Sequence, residues 1–524
     1  MNQFVPPEID WAALSPVLIV LGIAVIGVLV EAFVPVRVRR ATQVVLAVVG
    51  VGAALVAVAW RWVVVQADGP TALVAGALRE DAPALLAQAI LLVCAFVGLL
   101  VIADRSSGED AFAPAAAAIP GSAYEAEARR AGLVQTEVFP LTMFAIGGML
   151  VFPAAADLLT LFIALEVLSL PLYLLAGLAR RRRLLSQEAS LKYFLLGAFS
   201  SAFFLMGLAL LYGYSGSVRF DAVATAVPAT SGMDGMLLAG VLLVIVGLLF
   251  KVGAVPFHSW VPDVYQGAPT PVTGFMAACT KIAAFAALLR FFYVVAPGLQ
   301  WDLTVVLWII AILTMIVGTV LAVVQTDMKR MLAYSSVAHA GFVLLGVIAL
   351  VPSGISSVLF YLLAYGLATV GAFGLLTLVR ERDADGNVTG EALHLSQWAG
   401  LGRRHPVLAV CFTLFLISFA GIPLTGGFIG KFAVFGAAIE GGAWPLVVIA
   451  VLASAAAAFF YVRVIVLMFF TEPTGTDADP GTTVVRTEGL TAVAVVVCAV
   501  GTVILGVVPG PILDLAANAT KFML

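Results

Sequence analysis

One stretch of the chain, residues 235–261, decides the class of fold: GMLLAGVLLVIVGLLFKVGAVPFHSWV. Its apolar length suits a membrane-spanning helix, which needs about 20 residues to cross roughly 30 Å of hydrocarbon. Near its end, Lys251, Gly253 and Pro256 interrupt the run. Proline removes a backbone donor and clashes with the preceding turn, so the helix is predicted to break there. In a membrane, broken backbone is tolerated only where protein buries it or where it lines a wet cavity.

The composition of the whole chain agrees with a membrane protein. Of its 524 residues, 62% are hydrophobic and 11% are charged, whereas soluble domains hold about 45–50% apolar and about 25% charged residues. The net charge of −3 gives no indication of a nucleic-acid partner. The four cysteines are isolated, and the sequence holds neither a Cys-x-x-Cys pair nor a phosphate-binding glycine loop. It therefore predicts no metal, iron–sulfur or nucleotide site in this chain.

Fourteen apolar runs are long enough to be membrane-spanning helices, which predicts an all-α polytopic membrane protein. The positive-inside rule supports this count, because cytoplasmic loops carry an excess of Lys and Arg. With both termini outside, the outer loops and outer helix ends hold few cations: Arg61, Arg79, Arg219, Arg290 and Lys521. The runs cover residues 12–34, 41–65, 83–103, 136–153, 155–178, 188–213, 235–261, 271–295, 302–323, 328–350, 353–379, 406–436, 443–470 and 488–512.

A second broken run repeats the pattern of the first. In span twelve, Gly421, Pro423, Gly426 and Gly427 stand shortly before Lys431. The two broken spans are five apart, and an odd number of helices reverses direction in the membrane. Such paired breaks in inverted halves indicate a transport pathway.

The breaks therefore divide the chain into four parts. Residues 136–295 and 302–470 are predicted as two inverted five-helix repeats. Residues 1–135 provide three spans and a long cytoplasmic loop, in which Glu125 to Arg130 is either a short surface helix or disordered. Residues 471–524 provide a loop and the last span.

Several ionisable residues lie inside the predicted spans, where a charge costs roughly 2.5–3.5 kcal/mol on insertion scales. Arg463 suits snorkelling, in which a long side chain near a helix end reaches the interface. That alternative stays open for Lys192 and fits the other lysines less well. These embedded residues are Glu166, Lys192, Lys251, Lys281, Lys431 and Arg463.

Lysine suits proton transport because desolvation favours its neutral form, so a buried lysine can gain and release a proton. Arginine stays charged. A nearby carboxylate favours the charged lysine, which makes Glu166 with Lys192 or Lys251 a candidate switch pair. Two histidines in spans, His258 and His339, are candidate relays, or alternatively structural histidines that only form hydrogen bonds.

Three motifs resemble one family of membrane proteins. Residues 250–273 (FKVGAVPFHSWVPDVYQGAPTPVT), 329–341 (KRMLAYSSVAHAG) and 421–432 (GIPLTGGFIGKF) are similar to motifs of the antiporter-like subunits of bacterial NADH-quinone oxidoreductase, respiratory complex I. The sequence of the first motif looks like that of the N-type subunit. The M-type subunit tends to carry a glutamate at the position of Lys431. The long loop at 104–135 departs from the usual N pattern.

The resemblance implies a proton-translocating, non-redox subunit of a bacterial plasma-membrane translocase. NADH, FMN, the iron–sulfur clusters and quinone would belong to partner subunits, and further antiporter-like subunits would be neighbours in the membrane. His258 and His339 would be relays. The residues that match the proton-path positions of the family are Glu166, Lys192, Lys251, Lys281 and Lys431.

Three other functions are alternatives to this one. A subunit of a cation/proton (Na+/H+) antiporter without redox chemistry remains the main alternative. A structural spacer without a pathway is disfavoured by the embedded cations and the two breaks. A redox enzyme acting alone is disfavoured because the sequence holds no cofactor motif.

Overall fold

The computed structural model describes residues 9–105, 110–114, 122–131, 133–230, 232–382, 388–472 and 482–523. These residues form an almost entirely helical protein, which confirms the predicted all-α membrane class. The helices are α1 (Trp11–Phe33), α2 (Val36–Asp68), α3 (Ala82–Ala103), α4 (Ala123–Arg130), α5 (Val138–Val151), α6 (Leu158–Ala176), α7 (Arg183–Ser215), α8 (Phe220–Ala229), α9 (Asp234–Val252), α10 (Trp260–Gly267), α11 (Thr270–Val295), α12 (Gln300–Val323), α13 (Met328–Ile348), α14 (Pro352–Leu376), α15 (Leu401–Arg404), α16 (Pro406–Ala420), α17 (Gly426–Glu440), α18 (Trp444–Phe470), α19 (Leu490–Val507) and α20 (Gly510–Ala517).

Each of the fourteen predicted runs contains one helix or a broken pair of helices. Within the described part of the chain, twelve helices are long and apolar enough to cross a membrane. The run at 235–261 contains α9 and α10, and the run at 406–436 contains α16 and α17, so neither is one continuous helix. The count of fourteen spans and the division into two inverted repeats remain predictions.

The helices are arranged as a buried centre with an outer layer. The apolar stretches of α11, α13 and α14 are almost completely buried, and α3 is mostly buried. The corresponding stretches of α1, α2, α7, α12, α18 and α19 are mostly accessible on the outside of the chain. Small residues let the central helices approach closely: a Cβ on Gly274 of α11 would come 2.7 Å from Cβ of Phe373 of α14.

The arginine-rich loops form ordered structure on one face. Strands β3 (Val379–Arg382), β4 (Val388–Glu391) and β5 (Thr482–Val484) form an antiparallel sheet in the order β4-β3-β5. The charged stretch at Glu125–Arg130 lies within helix α4, so the helical alternative applies. Glu125 accepts a hydrogen bond of 2.6 Å from Arg180, which ties α4 to the end of α6.

The four arginines predicted outside all contact acidic residues. A hairpin of β1 (Thr71–Leu73) and β2 (Leu78–Glu80) leads directly into α3. Arg61 pairs with Glu80 at 2.6 Å, and Arg290 pairs with Asp81 at 2.6 Å. Beside them, Asp221 pairs with Arg219 at 2.6 Å and lies 3.5 Å from Arg79. The hydrogen bonds with Arg219 hold the pKa of the Asp221 carboxyl below its ordinary value.

The Arg290–Asp81 pair joins four distant parts of the chain. Both side chains are 1% exposed, and Arg290 also donates a hydrogen bond of 2.7 Å to the carbonyl oxygen of Pro153. The C-terminal segment packs on the pair, because the backbone N–H of Met523 donates to Asp81 at 3.0 Å and the ring of Phe522 lies 4.8 Å from the guanidinium.

We expect Arg290→Met to destabilise the protein by about 3–5 kcal/mol, because it leaves the Asp81 charge buried without its partner. Arg463→Met is the matched control, since Arg463 is exposed and donates to the carbonyl oxygen of Val323. The measurement is thermal unfolding of the detergent-solubilised protein. Equal melting temperatures for the two variants would contradict the assigned importance of the pair.

Candidate functional site

The first break places a lysine at the buried end of α9. Gly253 ends the helix with a φ of +76°, a left-handed conformation that favours glycine. The chain then turns until α10 begins at Trp260. Lys251, in the last turn of α9, is 3% exposed.

Aromatic side chains surround the ammonium of Lys251. It lies 3.4 Å from the hydroxyl of Tyr193, to which it donates a hydrogen bond. The ring centroids of Tyr193 and Tyr173 lie 5.0 and 5.4 Å from it. Trp260 stacks on Tyr193 with 4.6 Å between centroids. Ring faces attract a desolvated cation. Unlike a carboxylate, they do not hold the proton on the lysine.

Lys281, on the central helix α11, caps the first break. Its ammonium donates hydrogen bonds of 2.7 Å to the carbonyl oxygen of Val252 and 2.9 Å to that of Ser336. Val252 is the last residue of α9, whose final carbonyls lack intrahelical donors. Because Val252 directly follows Lys251, one short segment of backbone connects the two lysines.

His339 lies on α13 at the centre of the protein and is 4% exposed. Its Nδ1 lies 2.7 Å from the hydroxyl of Tyr361, and its Nε2 lies 3.2 Å from that of Tyr461. Both ring nitrogens therefore have hydroxyl partners that can donate or accept. The imidazole also packs against Phe419, with 5.5 Å between ring centroids.

The second break repeats the geometry of the first. Gly421 ends α16 with a φ of +79°, and Lys431 of α17 caps the free carbonyls. Its ammonium donates to the carbonyl oxygens of Phe419 at 2.9 Å and Ala420 at 3.0 Å, and to the hydroxyl of Ser454 at 2.8 Å. Lys431 is 5% exposed.

Lys251, Lys281, His339 and Lys431 follow one another between the two breaks and are here called the lysine row. Ser336, whose carbonyl oxygen accepts from Lys281, precedes His339 by one turn of α13. Beyond His339, the ring of Phe419 packs on the imidazole, and its carbonyl oxygen accepts from Lys431. Among the described residues, none of the three lysines has a carboxylate within ion-pair distance. Each holds neutral hydrogen-bond partners, so either protonation state can be accommodated.

Two residues that were predicted for the proton path, Lys192 and Glu166, lie apart from the lysine row. The ammonium of Lys192 pairs with Asp263 at 2.7 Å and Glu188 at 2.6 Å, and its side chain is 41% exposed. Glu166 is half-buried on α6 and accepts a hydrogen bond from the hydroxyl of Ser201. The expected ion pairs of Glu166 with Lys192 or Lys251 are therefore not formed in this conformation.

The remaining predicted positions lie at the surface of the breaks. His258 is half-buried between α9 and α10, and its Nδ1 has no hydrogen-bond partner among the described residues. Pro256 and Pro423 are exposed, so the prolines of both breaks face outward while the lysines face inward. Arg463 is exposed as well, which fits the snorkelling alternative.

The sequence did not indicate the uncharged side chains that bind the lysines and His339, nor Asp263, which binds Lys192. Ser454 binds Lys431, Tyr361 and Tyr461 bind His339, and Tyr193 binds Lys251. These side chains are compatible with apolar spans, so a search for embedded charges does not select them. Asp263, which binds Lys192, lies inside the motif at 250–273, but the motif alone does not indicate this contact. No group of His, Cys, Asp and Glu in the described part of the chain could hold a metal ion.

Comparisons with known proteins agree on one family. Residues 155–457 match the family described as NADH:quinone oxidoreductase/Mrp antiporter, TM. NADH-quinone oxidoreductase subunit N of Beutenbergia cavernae is 69% identical, over 99% of this chain and 100% of that protein. The subunit of the same name from Rhodococcus opacus is 57% identical, over 98% of this chain and 97% of that protein.

Solved structures show the same fold. A chain of respiratory complex I from Thermus thermophilus matches with a TM-score of 0.76 at 32% identity, covering 96% of this chain and 99% of that one. A chain of the Mrp complex from Dietzia sp. matches with a TM-score of 0.76 at 22% identity, covering 97% of each chain. At that lower identity, the second match shows the fold alone.

We expect Gly427→Ala to destabilise the second break by about 1–3 kcal/mol, as overpacking does elsewhere. An added Cβ would overlap the backbone carbonyl oxygen of Ser418, which cannot move without shifting α16. Gly436 of the same helix has nothing within 4 Å of its Cβ position, so Gly436→Ala is the control and should preserve stability. Thermal unfolding in detergent measures both. A Gly427→Ala variant as stable as Gly436→Ala would show that the break is not tightly packed.

Proposed function

This chain belongs to the family of NADH:quinone oxidoreductase and Mrp antiporter membrane subunits, and we propose that its lysine row carries protons across the membrane. The chain serves as the proton-translocating, antiporter-like N-type membrane subunit of an NADH-quinone oxidoreductase. The observation that carries the proposal is the row itself: three buried lysines and a histidine, each with uncharged hydrogen-bond partners.

The structure of the row supports transfer in steps. Lys251 and Lys281 share the end of α9, and His339 and Lys431 share Phe419. A proton on one lysine raises the cost of a second on its neighbour, since like charges in a low-dielectric site repel strongly. Arrival of a proton at one end of the row therefore favours release at the other. Tyr361 and Tyr461 can exchange protons with the imidazole between the two halves.

Redox chemistry is assigned to partner subunits in this proposal. Relatives of this chain carry the name of an NADH-quinone oxidoreductase subunit, and the Thermus thermophilus match is a chain of respiratory complex I. NADH, FMN, iron–sulfur clusters and quinone are held by those partners, and neighbouring antiporter-like subunits cover part of the apolar exterior. This chain contributes proton transfer without independent catalysis.

The proposed orientation in the membrane follows from the distribution of basic residues. The arginine-rich face with the β3–β5 sheet lies on the cytoplasmic side, and both termini lie outside, because basic loops are retained inside. The alternative, exchange of sodium for protons, is supported by the family description, which includes Mrp antiporters, and by the likeness of fold to the Mrp complex.

We expect Lys431→Arg to lose proton pumping almost as completely as Lys431→Ala. Arginine keeps the positive charge but does not release its proton, and an added barrier of about 1.4 kcal/mol already slows a step about tenfold. The assay is acidification of inverted membrane vesicles that contain the assembled complex, with assembly checked on native gels. Full pumping by Lys431→Arg would reject a proton-releasing role and leave a fixed electrostatic one.

Glu166 gives a second test, because its role depends on charge and not on shape. We expect Glu166→Gln to reduce pumping far more than Glu166→Asp, since only a carboxylate can bias the charge of a lysine. Glutamine keeps the ability to accept from Ser201. If both variants pump equally well in the same vesicles, Glu166 acts only through that hydrogen bond.

A further inference from the structure

A bridge of charged side chains links α7, α10 and α13 beside the lysine row. Asp263 of α10 stands at its centre. One carboxylate oxygen accepts from the ammonium of Lys192 at 2.7 Å, and the other accepts from the guanidinium of Arg330 at 2.7 Å. A single carboxylate is thus shared between a cation of the outer helix α7 and a cation in the first turn of α13.

The bridge continues into the cap of α13. Arg330 donates a second hydrogen bond of 3.0 Å to the side-chain oxygen of Gln266, whose amide nitrogen donates to Asp327 at 3.1 Å. Asp327 is the N-cap of α13 and accepts from the backbone N–H of Arg330 at 3.0 Å. The position of the first turn of α13 therefore depends on contacts that converge on Asp263.

Helix α13 carries the centre of the lysine row. Ser336 lies six residues after Arg330 and His339 lies nine after it, which places them about 9 and 14 Å along the helix axis. The carbonyl oxygen of Ser336 binds Lys281 at 2.9 Å. Because α13 is buried along almost its whole length, a shift at its first turn is passed along a rigid element and not absorbed locally.

We propose that Asp263 is a positioning residue that couples the charge on Lys192 to the lysine row through α13. The inference rests on the proposed function, because it assumes that the row conducts protons. While Lys192 is protonated, its attraction holds Asp263 toward α7. Once a charge outside this chain draws the ammonium of Lys192 away from Asp263, the Asp263 carboxylate is attracted by Arg330 alone, which favours a different position of the α13 cap and of the groups bound to Ser336 and His339.

Because Lys192 is exposed, charges outside this chain can act on it. Lys192 and Glu188 form the outer end of the bridge, with side chains 41% and 55% exposed. A change of charge outside this chain can therefore reach Lys192 without passing through the row. Asp263 then transmits that change inward by electrostatic attraction, while Glu166 has no contact with the bridge among the described residues.

The test is a double-mutant cycle in the assembled complex, with proton pumping measured per electron transferred in inverted vesicles. Asp263→Asn and Lys192→Met should each lower this ratio below that of the wild type, and by the same amount, because each removes the shared ion pair. The double variant should be no worse than either single variant, because both remove the same interaction. Asp263→Glu should retain most of the pumping, since it keeps the shared carboxylate.

Two controls separate the outcomes. Glu188→Gln removes the other partner of Lys192 and leaves the Asp263 bridge, so it should pump at nearly the wild-type ratio. Additive losses in the double variant would overturn the coupling. Full pumping by Asp263→Asn, with pumping abolished in Lys281→Met, would overturn the role of Asp263 while the lysine row stands. Normal pumping by Lys281→Met would reject the proposed function and this inference together.

Discussion

A helix that ends inside a membrane protein leaves carbonyl oxygens that need hydrogen-bond donors, because the hydrocarbon core supplies no water. Both breaks of this chain meet that requirement with lysine. Lys281 binds the last carbonyl of α9, and Lys431 binds the last two of α16. Helices α11 and α17 meet this need, because they carry Lys281 and Lys431. The groups that stabilise the broken backbone are thus the groups proposed to carry protons.

The two breaks give the lysines an environment that differs from that of the buried arginines Arg61 and Arg290. Arg290 and Arg61 form bidentate ion pairs with carboxylates, which fix their charge and their position. The row lysines hold only carbonyl oxygens, hydroxyls and ring faces. A carbonyl oxygen binds an ammonium without demanding a full charge in return. These two arginines and the row lysines therefore differ in the type of partner.

The class of fold could be predicted from the sequence, because apolar length and the position of arginines depend on the bilayer and not on tertiary contacts. The two breaks could also be predicted from the sequence. Gly253 and Gly421 end their helices through local backbone conformation, which does not depend on tertiary contacts. The partners of each lysine were beyond prediction. Lys281 lies almost thirty residues after the break that it caps, and Lys192 binds Asp263 instead of Glu166 because of how α7 packs on α10. Such choices depend on packing that a single sequence does not reveal.

The burial of α11, α13 and α14 has a consequence for how the protein is made. These helices carry Lys281, His339 and many small or hydroxylated side chains, yet they lie at the centre, where no lipid reaches them. A helix of this kind gains little from lipid on its own. Its stability in the bilayer depends on the outer helices that enclose it. During biogenesis, α11 leaves the ribosome before α13 and α14 exist, so it must be retained by α3, α5 and α9 until these later helices pack against it.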